Sequence, residues 1–196
     1  MSNNIDPIMH RKIAIFASGS GSNAENIIRH FSGCSDISFP FILCNKKEAF
    51  VHERAKKLNI PSIIFNKIQL ENGEILSLLQ KEGIDFIVLA GFLLKIPENI
   101  LSFYSDKIVN IHPALLPKYG GKGMYGMKVH EAVVANGEKE SGITIHYVNE
   151  RYDEGAIIAQ YKCEVLPSDS PEDVAQKVHE LEYEYFPGVI ERVIKG

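Results

Sequence analysis

Short apolar runs at residues 12–17, 37–44, 62–65, 86–90 and 107–111 alternate with stretches of helical period at 23–31, 47–58, 71–82 and 97–104. Such alternation marks βαβ units, whose right-handed crossovers place helices on both faces of a parallel sheet. The pattern predicts an α/β chain with a Rossmann-like, mostly parallel sheet. After Tyr119 the pattern changes. A Gly-rich loop leads to a helix near 128–136, then to strands at 143–149 and 156–163 joined by a tight segment, which predicts an antiparallel hairpin at the sheet's end. A C-terminal helix opens at Ser170, with Pro171 in its first position, and is expected to run to about Tyr185, where Pro187-Gly188 would stop it. No linker or repeat interrupts the pattern, so residues 1–196 read as one domain with 1–11 a loose tail.

Composition enters mainly through what it excludes. With 45% hydrophobic and 23% charged residues, the chain has the balance of an ordinary globular protein. Its start lacks a signal-peptide core, and no apolar run approaches the ~20 residues of a bilayer span, so a cytoplasmic protein without a membrane partner is expected. A net charge of −4 argues against a nucleic-acid partner, which usually requires a basic stripe. Cys34, Cys44 and Cys163 lack metal-ligand spacing and read as reduced thiols, and no metal is expected elsewhere.

The first run leads straight into Ser18-Gly19-Ser20-Gly21-Ser22-Asn23-Ala24 and then a helix. Free backbone N–H groups and the positive end of a helix dipole converge at such a turn, and glycine lets a phosphate approach the backbone. Gly19, Gly21 and Ala24 also fit a dinucleotide fingerprint, which keeps a nicotinamide enzyme in view. Against it, Cys44-Asn45-Lys46 stands where that fingerprint places an acidic residue. A tight turn without a ligand is the bland alternative.

The run at 107–111 leads into Asn110-Ile111-His112-Pro113. Residues i and i+2 of a strand share a face, so Asn110 and His112 point the same way, and Pro113 then turns the chain out of the sheet. An amide and an imidazole thus stand together at the carboxyl end of a strand, where open α/β sheets bind ligands. Tyr152-Asp153-Glu154-Gly155 adds a carboxylate in a tight turn. Asp153 is either a reacting group or the side chain that shapes the turn.

Together with Leu89-Ala90-Gly91-Phe92 and Leu115-Leu116-Pro117-Lys118-Tyr119, these segments resemble the phosphoribosylglycinamide formyltransferase family, folate-dependent enzymes of purine synthesis. The likeness covers nearly the whole chain in order. It implies that Asn110, His112 and Asp153 are the catalytic trio, with His146 nearby in support. On the residues alone, His146 reads as a strand histidine with a packing role. The resemblance further implies that Gly21, Ser22 and Asn23 cradle the 5′-phosphate of glycinamide ribonucleotide and that Glu182 binds its glycinamide end. Phe92, Leu93, Leu94, Lys95 and Ile96 would line the folate pocket. Leu94-Lys95 stands where many relatives carry an arginine, and Lys67 is the candidate to meet the folate tail in place of another.

The implied reaction takes a formyl group from 10-formyltetrahydrofolate, a co-substrate, to the amine of glycinamide ribonucleotide by direct attack, without a metal. Asn110 and His112 would stabilise the oxyanion, and Asp153 would move the proton. The Gly-rich loop 118–128 is expected to move over the pocket, its Lys118, Lys122 and Lys128 attracting substrate phosphate or the folate tail. Other formyl-handling relatives with the same trio carry extra domains or run longer, so a small acceptor and a monomer or weak homodimer are expected here. A non-catalytic nucleotide-binding module is the reading from another class.

Overall fold

The computed structural model describes residues 10–196. The expected tail lies outside the described residues except at its end, where Arg11 already opens the first strand. In chain order the elements are β1 Arg11–Ala17, α1 Ser22–His30, β2 Ile37–Ser38, β3 Ile42–Cys44, α2 Val51–Lys57, β4 Ser62–Ile64, α3 Lys67–Glu71 and α4 Glu74–Lys81. They continue with β5 Phe86–Leu89, α5 Glu98–Phe103, β6 Ile108–His112, α6 Met127–Ala135, β7 Glu140–Tyr147, β8 Ile157–Glu164 and α7 Pro171–Lys195.

The strands form one sheet in the order β4-β3-β1-β5-β6-β7-β8, with β2 also paired to β1. Pairings up to β6 are parallel, while β6·β7 and β7·β8 are antiparallel. This is the Rossmann-like, mostly parallel sheet with a terminal hairpin that the alternation predicts. From β1 the chain winds outward through β3 and β4, then returns to the other side of β1 as β5. The carboxyl ends of β1 and β5 therefore flank a topological switch point, the usual position of a ligand crevice.

Period-two alternation along β1 explains the two cores. Ile13, Ile15 and Ala17 face α1, α2 and α7, whereas Ala14 and Phe16 face α4 and α5. Every one of these positions is fully buried, as expected for a central strand covered on both sides.

Several boundaries depart from the sequence reading. The run at 37–44 is two short strands, because Pro40 cannot donate to a ladder. The helix expected at 71–82 is α4, which starts only at Glu74 because Gly73, with φ 93°, lies outside the helical region, and a short helix not expected from the sequence, α3, precedes it. That helix, α3, is opened by an Asn66 capping box with Gln69.

The largest difference is α7, which does not stop at Pro187. It runs to Lys195 and buries Phe186, Pro187, Val189 and Ile190 against the sheet. A proline inside a helix orphans the carbonyl four residues earlier, here that of Tyr183. Asn26 of α1 donates its Nδ2–H to that oxygen at 2.8 Å. A side chain from another helix thus replaces the missing backbone donor, and burial of the following turn holds the helix together. At its other end Ser170 and Asp173 form the capping box that Ser170-Pro171 anticipates.

Candidate active site

At the switch point, the loop after β1 turns its carbonyls outward. Gly19 O accepts from Val51 N–H at 3.2 Å, Ser20 O accepts from Arg54 Nε–H at 2.9 Å, and Gly21 O takes the Glu25 N–H at 2.9 Å. Gly21 caps α1 with φ 74° and no side-chain cap of its own, and the first amide, Ser22 N–H, makes only a long 3.4 Å bond to Ser20 Oγ, which a ligand could replace. A Cβ on Gly21 would lie 2.4–2.8 Å from Val51, so glycine is required by packing as well as by conformation. Such a turn can hold an anion.

The cradle is tied to the segment after β5. Ser18 N–H donates to Gly91 O at 3.0 Å, Leu93 N–H donates to Ser18 Oγ at 3.0 Å, and Ser18 Oγ–H donates to Asn45 Oδ1 at 2.6 Å. Asn45 is therefore engaged at the end of β3, where a dinucleotide site would present a carboxylate to a ribose.

Asn110 and His112 share a face of β6, and the antiparallel partner β7 places His146 directly opposite Asn110 and Thr144 opposite His112. Hydrogen bonds assign both rings. His112 Nε2 lies 2.7 Å from Tyr119 O, a pure acceptor, so Nε2 carries hydrogen and Nδ1 faces Asp153 Oδ2 at 3.6 Å. His146 Nδ1 donates to Tyr147 O at 2.8 Å, leaving Nε2 to accept from Asn110 Nδ2 at 3.0 Å. Burial pushes the His146 pKa down, which favours the neutral ring that this acceptor role needs.

Asp153 reaches both histidines. Its Oδ1 is 3.7 Å from His146 Nε2, and Oδ2 accepts the Gly121 N–H at 2.9 Å. Asp153 occupies the left-handed region at φ 57°, a conformation that short polar side chains tolerate. Two residues on, a Cβ at Gly155 would lie 1.7 Å from Tyr147 O, the acceptor that sets the His146 tautomer.

One cavity of about 850 Å³ gathers most of the residues named from sequence: Gly21, Ser22, Asn23, Phe92, Leu93, Asn110, His112, Asp153 and Glu182. Glu182 comes from α7. Its Oε2 accepts from Asn23 Nδ2 at 2.8 Å and lies 3.1 Å from His179 Nδ1. The Asn23 side chain is thus committed to Glu182, leaving its backbone amide and Ser22 for an anion.

Other candidates lie apart from this space. Leu94 packs into the second core, Ile96 is buried there, and Lys95 is exposed. Lys67 is exposed and lies 3.5 Å from Glu71, so neither it nor residues 94–96 line the cavity. Of the three loop lysines only Lys122 lines it, because Lys118 bonds Glu138 at 2.8 Å and Lys128 lies over the Tyr125 ring.

Sequence reasoning missed the support beneath His112. Thr144 Oγ1 donates to Ala114 O at 2.6 Å and accepts from Leu116 N–H at 3.0 Å, while Gln160 Nε2 donates to both Thr144 Oγ1 and Leu116 O at 2.9 Å. These bonds pin the chain that follows Pro113. Alternation along the hairpin strands was the signal available, but nothing in it distinguished Thr144 from any buried threonine. His130, which also lines the cavity, carried no motif at all.

Among the described residues, no group of His, Cys, Asp and Glu is arranged to hold a metal, and no helix is long and apolar enough to cross a membrane.

The Formyl transferase family model matches residues 11–190. The phosphoribosylglycinamide formyltransferase of Bacillus subtilis (strain 168) is 37% identical over 190 residues, which cover 94% of this chain and 95% of that protein. The chloroplastic phosphoribosylglycinamide formyltransferase of Arabidopsis thaliana is 42% identical over 94% of this chain. The chain spans 67% of its length, and 61% of that of the Vigna unguiculata protein of the same name. A crystal structure of phosphoribosylglycinamide formyltransferase from Streptococcus pneumoniae TIGR4 superposes with a TM-score of 0.83 at 33% identity, covering 94% of this chain and 99% of that one.

Proposed function

The chain belongs to the formyl transferase family, and from that premise we propose that it transfers a formyl group from 10-formyltetrahydrofolate to the amine of glycinamide ribonucleotide, in cytosolic purine biosynthesis. The observation that carries this reading is the shared cavity. An anion cradle, a carboxylate at Glu182 and the Asn110, His112 and Asp153 set all line one space.

Each part suits a portion of the reaction. The amides of Ser22 and Asn23 would hold the substrate phosphate, and Glu182, fixed by Asn23 and His179, would hold the amine. Phe92 and Leu93 form the wall for the folate ring. When the amine attacks, a C–N bond forms and the formyl π electrons move to oxygen. Asn110, with one Nδ2–H held by His146, has its second N–H for that oxygen, and His112 Nδ1–H, when protonated, is the other donor. Each such donor contributes roughly 10²–10³ in rate. Asp153 Oδ2 lies 3.6 Å from His112 Nδ1 and can accept the proton shed by the attacking nitrogen, then return it, directly or through water, to the folate nitrogen as the C–N bond to folate breaks and the carbonyl re-forms. Such proton transfer contributes roughly 10²–10⁴.

The test is an absorbance assay with purified protein, 10-formyltetrahydrofolate and glycinamide ribonucleotide. Turnover that requires the amine is the expected result. Formate release without it, and no transfer in its presence, would replace the reading with hydrolysis.

A further inference from the structure

His130, on α6, is only 5% exposed, yet it lines the cavity. Its Nδ1 is buried and has no hydrogen-bond partner among the described residues. The neighbouring histidines differ, since His112 and His146 each donate one ring N–H to a backbone carbonyl. With Nδ1 closed off, Nε2 is the nitrogen that His130 can offer to a ligand.

Elementary energetics then assign the hydrogen. A buried N–H without an acceptor loses its full hydration, and buried orphan donors are rarer than orphan acceptors. Nδ1 is therefore bare, and the neutral ring carries its hydrogen on Nε2. A second proton would have to sit on Nδ1, where nothing accepts it. Burial lowers the pKa of His130, opposed by the charge of Glu182 on α7 and reinforced by His112 on β6. Burial thus favours the neutral ring, whose donor is Nε2–H.

Position selects the acceptor. His130 lines the same cavity as Glu182, the carboxylate assigned to the amine, and His112, the imidazole assigned to the formyl oxygen. In an aminoacetamide the carbonyl oxygen lies on the carbon next to the one bearing the amine. A neutral donor suits that neutral oxygen, whereas a phosphate dianion is better met by helix amides or a cation.

We propose that His130 is a specificity-determining residue whose Nε2–H recognises the amide carbonyl oxygen beside the reacting amine. This rests on the glycinamide ribonucleotide reading above. Without that oxygen, the site would keep an unpaired donor, which is how a hydrogen-bonding site rejects a substrate that lacks its partner.

The test compares wild type with His130→Leu, which fills the space without a donor, and His130→Gln, which keeps one. The Leu variant should raise KM for glycinamide ribonucleotide about 10- to 100-fold, with KM for the folate within twofold, and Gln should recover part of the loss. Nitrogen NMR of wild type should show Nε2 protonated and Nδ1 bare, with the ring titrating below the ordinary 6.5. Wild type that turns over while the Leu variant keeps its KM, or an Nδ1–H tautomer, would overturn the assignment alone. Wild type that neither binds nor formylates glycinamide ribonucleotide would remove the functional reading and this assignment with it.

Discussion

His146 Nε2 and Asn110 Nδ2 face each other at 3.0 Å across the β6–β7 register, and the bond from His146 Nδ1 to Tyr147 O leaves that nitrogen able only to accept. A buried imidazole thus decides which end of the Asn110 amide faces the cavity.

Replacing His146 by Leu should release that amide. The expected outcome is a kcat lower by roughly 10- to 100-fold, less than the ~10²–10³ for loss of a donor outright. His146→Gln, which can still accept, should fall between. Steady-state kinetics on variants checked for a native thermal transition would settle it, and equal kcat values for Leu and wild type would contradict the orienting role.

Asp153→Asn should leave the backbone intact, because asparagine also tolerates φ 57° and can accept from Gly121 N–H. Turnover should fall roughly 10²–10⁴, since the amide can neither accept the proton nor pair with a cationic His112. Calorimetry should still detect glycinamide ribonucleotide. Loss of binding in parallel with turnover would assign Asp153 to architecture alone.

Folding stability should rise with pH across the histidine range. Burial lowers the pKa of His146 and of His130 from the ordinary 6.5. Between those depressed values and about 6.5, the unfolded chain binds more protons than the folded one. The contribution is complete above that window and is lost as pH falls through the folded-state values. Urea midpoints at about pH 7.5 and 5.5 should differ more in wild type than in a His130→Leu, His146→Gln double variant. Identical pH dependence would refute this account.

Asn26→Ala should cost about 0.5–1.5 kcal/mol by orphaning the Tyr183 carbonyl beneath Pro187. In a Pro187→Ala background a backbone N–H returns to that carbonyl, so the same substitution should cost less. A double-mutant cycle by chemical denaturation measures the coupling, and additive effects would show that Asn26 does not serve the proline.

Which parts of the site were legible follows from the range of the forces involved. Asn110 and His112 could be placed on one face because strand alternation is local, and the cradle could be seen because a glycine turn leading into a helix exposes amides wherever it occurs. Glu182 was reachable only through family likeness. Its link to Asn23 joins α1 to a helix at the other end of the chain, and no local pattern encodes it. The position of His146 opposite Asn110 depends on the hairpin register and on the irregularity at Ile145/His146. The stop at Pro187 failed for a similar reason. The local rule for proline is sound, but a distant asparagine and the burial of Phe186, Val189 and Ile190 outweighed it.

By itself the sequence determined the α/β alternation, the polar pair released by Pro113, the cradle, and the Ser170 cap, all of which arise from dihedral preferences and periodicities acting over a few residues. Only the tertiary structure decided which nitrogen each histidine presents, that Asn23 serves Glu182, and that His130 enters the cavity without a partner. Those outcomes depend on burial and on hydrogen bonds between distant segments. Both come into existence only when the sheet has paired and the helices have packed against it.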